Sequence, residues 1–334
     1  IYGWFDYEHD EGMSEQLIVS KVNFDPDSGK VGYAASGIIK GRVKDQWAFK
    51  EYSDGSLSIM TSTGQLWSQD ENIAQNHLWV LEQKDTVLDE VGGYHDFGTG
   101  EDIRSVRYIE DMAYVVTFKK TDPLFAFDMS TPTEPALLGE LKIPGFSVYM
   151  HPIGDNRMVG LGFDAADQGD FAYFQGIQVS IFDVNDPKDM KRTSNEILGD
   201  RGSKSEATGD HHAFFYDEET SMVGFPLVEV VKSDDVEGYD GQYGNKLKFS
   251  GAILYNVENE LEEVARVTHR DLLSEECIAQ LSRGQWWSTA AKSYDINRIF
   301  KVDGNILTIS RFGMKVHNLS NPEEVLKTIK YSDV

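Results

Sequence analysis

One short pattern recurs along this chain: an alternating apolar strand closed by Asp, Asn or Glu. Its six copies are Ile18-Val19-Ser20-Lys21-Val22-Asn23, Leu78-Trp79-Val80-Leu81-Glu82, Leu124-Phe125-Ala126-Phe127-Asp128, Val179-Ser180-Ile181-Phe182-Asp183, Ala252-Ile253-Leu254-Tyr255-Asn256 and Met314-Lys315-Val316-His317-Asn318. A period of two puts every other side chain on one sheet face. In three copies a turn follows directly, as Asp128-Met129-Ser130-Thr131-Pro132, Asp183-Val184-Asn185-Asp186-Pro187 and Asn318-Leu319-Ser320-Asn321-Pro322. Such side chains bond nearby backbone N–H groups and reverse the chain tightly. A second hairpin lies between copies, for example at residues 106–118 around Glu110-Asp111, 149–163 around Asp155-Asn156 and 298–310 around Asp303-Gly304.

Eleven hairpins are read in this way, starting near Leu17, Gln46, Leu78, Ser105, Leu124, Val148, Gln178, His212, Ser250, Asn297 and Gly313. Helical spacing shows once, in the stripe Leu273, Cys277, Ile278 and Leu281 between a candidate N-cap, Asp271, and a candidate stop, Gly284. The chain is therefore expected to be all-β. Two hairpins make a four-stranded antiparallel sheet, and stacked units with a period of roughly 40–50 residues are the signature of a β-propeller. The expectation is one β-propeller domain over residues 1–334. Five complete blades fall at about 46–91, 103–142, 147–198, 211–268 and 295–331, after an outer half-blade at 17–39. The half-blade lacks inner strands, and an unpaired edge invites aggregation. An upstream segment or a second chain is expected to complete it, so the sequence reads as a fragment of a longer propeller.

Charge narrows the partners. With 31 basic and 56 acidic residues the formal net charge is −25, which repels a nucleic-acid backbone. No apolar run approaches the roughly 20 residues of a membrane-spanning helix. Cys277 is alone, so an intramolecular disulfide and a cysteine-based zinc cluster are excluded, and cysteine usage places the chain in no particular compartment. The chain opens Ile1-Tyr2-Gly3-Trp4, with neither an initiator Met nor a leader, as a processed product or a fragment would.

These residues resemble the secreted bacterial and archaeal β-propeller proteins distantly related to WD40 repeats, from about Val19 to Tyr331. The most specific stretches are Asp122-Pro123-Leu124-Phe125 through Leu138-Gly139-Glu140-Leu141-Lys142-Ile143-Pro144-Gly145-Phe146-Ser147, and Leu198-Gly199-Asp200-Arg201-Gly202-Ser203 with Ser205-Glu206-Ala207 and Asp210-His211. The resemblance implies an extracellular, periplasmic or cell-surface location and longer members with additional upstream blades. It implies no catalytic residue. Family members tend to carry Lys after the Asp-His pair, where this chain has His212.

With strands a to d running outward from the channel, the bc and da connections share one face of a propeller. The long bc segments are 1–15, 66–76, 164–176 and 229–249; the long da segments are 92–102, 200–210 and 268–294. Binding residues concentrate on variable loops held by a rigid scaffold, which places the functional surface on this acidic, aromatic face. The residues expected to meet a ligand or partner are Trp286, Trp287, Arg201, Tyr239 and Tyr243. Asp45, Arg104 and Asp295, together with Asp210, precede the inner strands as a polar ring. Flat aromatics beside carboxylates suit a cationic peptide, a sugar or a partner protein, and equally suit loops packed on one another.

Glu206, Asp210 and His211 are the densest candidate metal ligands, with Ca2+ ahead of Zn2+ because oxygen donors dominate the face. No cofactor is fixed by a motif. His211 and His212, if on a strand, would point to opposite faces, so only one would join a site. No GxSxG elbow, HExxH or P-loop is present. His95, Asp96 and Glu101 offer acid and base groups, whereas Gly92, Gly93, Gly98 and Gly100 mark a turn. The leading expectation is an exported binding or scaffold module. Its rivals are a carboxylate- or metal-dependent hydrolase or lyase at the channel mouth, and a structural subunit of an envelope assembly.

Overall fold

The computed structural model describes residues 2–6, 14–68, 72–119, 122–154, 156–167, 172–233, 243–273 and 296–331. The chain divides into two compact units, residues 1–143 with 186–190, and residues 144–185 with 191–334. Strands dominate both, and the described helical elements are single 3-10 turns. No described helix is long and apolar enough to cross a membrane.

The first unit holds β1 (Tyr2–Asp6), β2 (Ser14–Asp25) and β3 (Lys30–Lys40), then β4 (Phe49–Glu51), β5 (Leu57–Thr63), β6 (Gln75–Lys84) and β7 (Val87–Phe97). These seven form one sheet in the order β1-β2-β3-β7-β6-β5-β4. The join between β3 and β7 is a single parallel bridge, Ser36 to Val87. β8 (Asp102–Ile109), β9 (Met112–Phe118), β10 (Asp122–Asp128) and β11 (Ala136–Ile143) make a second, four-stranded sheet.

The second unit contains three four-stranded antiparallel sheets, each in sequence order. They are β12 (Phe146–Pro152), β13 (Arg157–Asp167), β14 (Ala172–Asp183) and β15 (Lys191–Leu198); β16 (Phe215–Asp217), β17 (Met222–Val231), β18 (Lys246–Asn256) and β19 (Glu262–Val267); and β20 (Ile296–Val302), β21 (Asn305–Ser310), β22 (Gly313–Asn318) and β23 (Asn321–Lys330).

Sheets stack face to face within each unit, which explains the burial pattern. A second strand such as β17 is buried on both faces over Met222–Val230, whereas the outermost β15 alternates exposed and half-buried. Val223, Phe225 and Ile253 pack against Leu161, Val179 and Ile181 of the preceding sheet. Leu254, Ala265 and Ile299 close the next interface. In the first unit, Phe97 and Met60 meet Val115 and Phe127, while Leu17 and Val19 meet Ile59 and Trp79. Each fully buried apolar side chain contributes about 1.5–3 kcal/mol. The Asp303-Gly304 turn is as expected: φ is +48° and +71°, the left-handed pair of a two-residue hairpin joining Val302 and Asn305.

Several expectations are corrected. Residues 1–15 are not one connection, because Tyr2–Asp6 is a strand paired with β2 from Tyr2↔Ile18 to Asp6↔Ser14. The run Tyr2-Gly3-Trp4-Phe5 is aromatic and strand-prone, and it pairs with β2 and stands at the end of the sheet's strand order. The segment 164–176 is largely strand, β13 and β14 pairing out to Asp167↔Ala172, and the segment 229–249 begins and ends in strand, β17 and β18 pairing out to Val231↔Lys246. Gly92 and Gly93 lie within β7, not in a turn. A Cβ on Gly92 would stand 2.1 Å from the Thr133 carbonyl oxygen, so packing selects this glycine. Asp271 does not cap a helix but sits inside the 3-10 turn Arg270–Leu272, its carboxylate taken by Lys315 Nζ at 2.5 Å. Cys277, Ile278, Leu281 and Gly284 lie outside the described residues.

Candidate functional site

The da connection after β15 is laced onto β17 by its backbone. Asp200 N–H donates to Val230 O at 2.7 Å, and Lys204 and Val228 exchange two bonds of 2.9 Å. Ser203 Oγ donates to Val230 O and accepts from Val230 N–H. Lys232 N–H donates to Asp200 Oδ2 at 2.7 Å, so this carboxylate orders loop backbone. The connection therefore holds Arg201 firmly. Gly244 N–H donates to Arg201 O at 2.7 Å, and the guanidinium stands 4.3 Å from the centroid of the Tyr243 ring.

Sequence reasoning named Arg201 and Tyr243 separately, and the fold stacks them. Beside them Phe163 and Phe174 stack at 5.8 Å with an interplanar angle of 20°, and Phe146 lies 4.8 Å from Phe174. Phe163, Phe174, Gln175, Arg201, Ser203 and Tyr243 line an open groove of about 390 Å³ at the bc and da end of these sheets. Phe174 and Tyr243 are 42 % and 48 % exposed, large for aromatics that could pack inward. Neither Phe163 nor Phe174 was singled out in the sequence: Phe163 reads as the end of the 149–163 hairpin, and Phe174 falls in a bc segment read as loop, where no alternation places it. The groove is aromatic and basic where the expectation was aromatic and acidic, since the Arg201 guanidinium lies on the Tyr243 ring.

A second group forms where the next inner strand begins. Asp210 caps the 3-10 turn His211–Ala213, its Oδ1 accepting from His212 N–H at 3.0 Å and lying 2.8 Å from His212 Nδ1. Arg298 donates to Oδ2 at 2.5 Å. The bonds from His212, with Arg298 adding to them, hold the Asp210 carboxyl below the ordinary carboxylate range. His211 stacks over Tyr149 at 6.4 Å, and Tyr149 Oη is 3.0 Å from His151 Nδ1.

The expectation that His211 and His212 diverge is overturned. Their ring centroids are 4.0 Å apart, because a 3-10 turn advances about 120° per residue where a strand advances 180°. Donor atoms of Asp210, His211 and His212 all lie within 4.8 Å of one another. Glu206 is not in this group. It opens the 3-10 turn Glu206–Thr208, and its carbonyl accepts from Gly209 and Asp210 N–H.

Asp45 plays the same capping part in the first unit, accepting from Trp47 N–H at 2.9 Å ahead of Gln46–Ala48. Arg104 occupies a bulge in β8, its guanidinium 5.8 Å from the Phe118 ring centroid. Trp286, Trp287, Tyr239 and Asp295 lie outside the described residues. The acid–base candidates also separate. His95 Nε2 is 2.9 Å from Glu90 Oε1, and its ring lies 4.4 Å from Trp79. Burial pushes the Glu101 carboxyl up, and Thr117 donates to it at 2.5 Å. Asp96 Oδ1 is 3.7 Å from Nδ1 of His77.

A family profile described as "Beta propeller domain" matches residues 7–322. An uncharacterized protein of Methanocaldococcus jannaschii is 34 % identical over 233 residues, covering 65 % of this chain and 34 % of the relative. Another, from Archaeoglobus fulgidus, is 33 % identical over 218 residues, covering 65 % and 30 %. The chain thus spans about a third of the length of the curated relatives it matches. Among solved structures, a protein from Lactobacillus plantarum aligns over 99 % of this chain and 94 % of its own, at 9 % identity and a TM-score of 0.34.

Proposed function

The chain belongs to the beta propeller domain family, and from that premise we propose that it is an exported recognition scaffold that binds a protein partner in the Arg201–Tyr243 groove. Exposed aromatics beside an arginine are the residues that dominate protein recognition. Sheets buried on both faces hold such a groove rigid, so ordering the site on binding costs little. The single observation that carries the reading is the groove itself, where Phe174 and Tyr243 remain exposed around Arg201. A net charge of −25 supports a protein over a polyanion as the ligand.

Immobilised full-length chain is compared with the variant Phe174→Ser, Arg201→Glu, Tyr243→Ser on envelope and medium fractions of the source cells. The reading expects specific proteins held by the first and lost from the second, with identical circular dichroism and thermal midpoint. The same proteins retained by both would remove the groove from recognition. The exported location rests on the sequence resemblance alone, and immunodetection confined to the soluble cell interior would overturn it.

A further inference from the structure

We propose that Asp210, His211 and His212 form a binding site for a borderline divalent cation of the Zn2+ type, independent of the Arg201–Tyr243 groove. Three consecutive residues offer one carboxylate and two imidazoles, gathered on a capped 3-10 turn where the two ring centroids stand 4.0 Å apart. The donor atoms lie within 4.8 Å of one another. Ligands on a tetrahedral zinc ion stand roughly 3.3 Å apart, given bonds of about 2.0–2.2 Å. Asp210 Oδ1 and His212 Nδ1, at 2.8 Å, are already at that scale. The remaining closure falls to His212, whose side chain is 71 % exposed and rotates without disturbing the core.

The surroundings fit a ligand set. Tyr149 fixes the His211 ring by stacking, and Arg298 anchors Asp210 through Oδ2 while Oδ1 faces the histidines. Outer partners of this kind orient ligands in metal sites. The arginine also draws charge from the carboxylate, which leaves selectivity with the imidazoles. Two nitrogen donors and one oxygen favour Zn2+ and disfavour Ca2+, which takes six to eight oxygens. This reverses the preference drawn from the sequence, where the second histidine was set aside.

The test uses the full chain without a histidine tag, stripped with chelator and titrated calorimetrically with ZnCl2 at moderate salt. Co2+ absorption reports the donor set in parallel. The expected result is saturable binding of a single equivalent, a raised thermal midpoint and no matching heat with CaCl2. His212→Gln, at an exposed position, and His211→Gln should each weaken Zn2+ by roughly tenfold or more. Circular dichroism of the metal-free variants shows that they fold. Absence of saturable Zn2+ binding, or equal binding by both histidine variants and the parent chain, overturns the site.

Discussion

His269 is fully buried between two hydroxyls. Its Nδ1 is 2.7 Å from Ser310 Oγ and its Nε2 2.8 Å from Thr308 Oγ1, and Thr308 also meets His317 Nε2 at 3.0 Å. Burial, with the nearby charge of Lys315 adding to it, pushes the His269 imidazole down to about 4. The folded state therefore takes up this proton later than the unfolded chain does. Stability from this group is complete above the unfolded value near 6.5 and declines as pH falls from there to about 4. The loss is on the order of 3 kcal/mol. Burial shifts His317 in the same direction. Urea midpoints at pH 7.5 and 4.5 should diverge more for the parent chain than for His269→Gln; equal divergence would show that His269 does not govern the acid limb. The sequence named neither His269 nor its partners, because their meeting depends on a connection folding against the buried face of β21 and β22.

At the scale of elements, the short inner strands β4 and β16 share one entrance, Asp45-Gln46-Trp47-Ala48-Phe49 and Asp210-His211-His212-Ala213-Phe214. In each, an aspartate caps a 3-10 turn and an alanine points into the core, both alanines being fully buried. Asp45→Ala should lower stability by about 1 kcal/mol, read as a shifted denaturant midpoint at constant slope. An unchanged midpoint would mean that the cap contributes nothing there. Gly92→Ala is expected to cost about 2 kcal/mol, since its Cβ would press on backbone at Thr133 and not on a yielding side chain. Strand positions and turns such as Asp303-Gly304 were legible because alternation and turn chemistry are local. The entrances were not. A 3-10 turn of three residues has too short a period to separate from a strand start, and this difference alone brought His211 and His212 together.

For the whole molecule, 56 acidic against 31 basic residues predict self-repulsion that salt relieves. The thermal midpoint should rise between about 10 mM and about 0.5 M NaCl, and a flat response would show the charges already paired. The β2–β3 hairpin adds a second property. Val22 faces Tyr33 and Phe24 faces Val31 across the pair, and all four are more than half exposed. Such a face should bind an apolar dye, with Phe24→Lys and Tyr33→Lys together lowering its fluorescence at unchanged circular dichroism. Persistence of the signal would place the dye elsewhere. By itself the sequence determined the all-β class, the hairpin units and the family, because these rest on alternation and turn residues close along the chain. It also placed Arg201 and Tyr243 on long connections. Only the tertiary structure decided that these two stack, that Phe163 and Phe174 join them, and that Asp210 meets Arg298. Those contacts join residues tens of positions apart, and their distance is fixed by how the sheets pack and not by any local pattern.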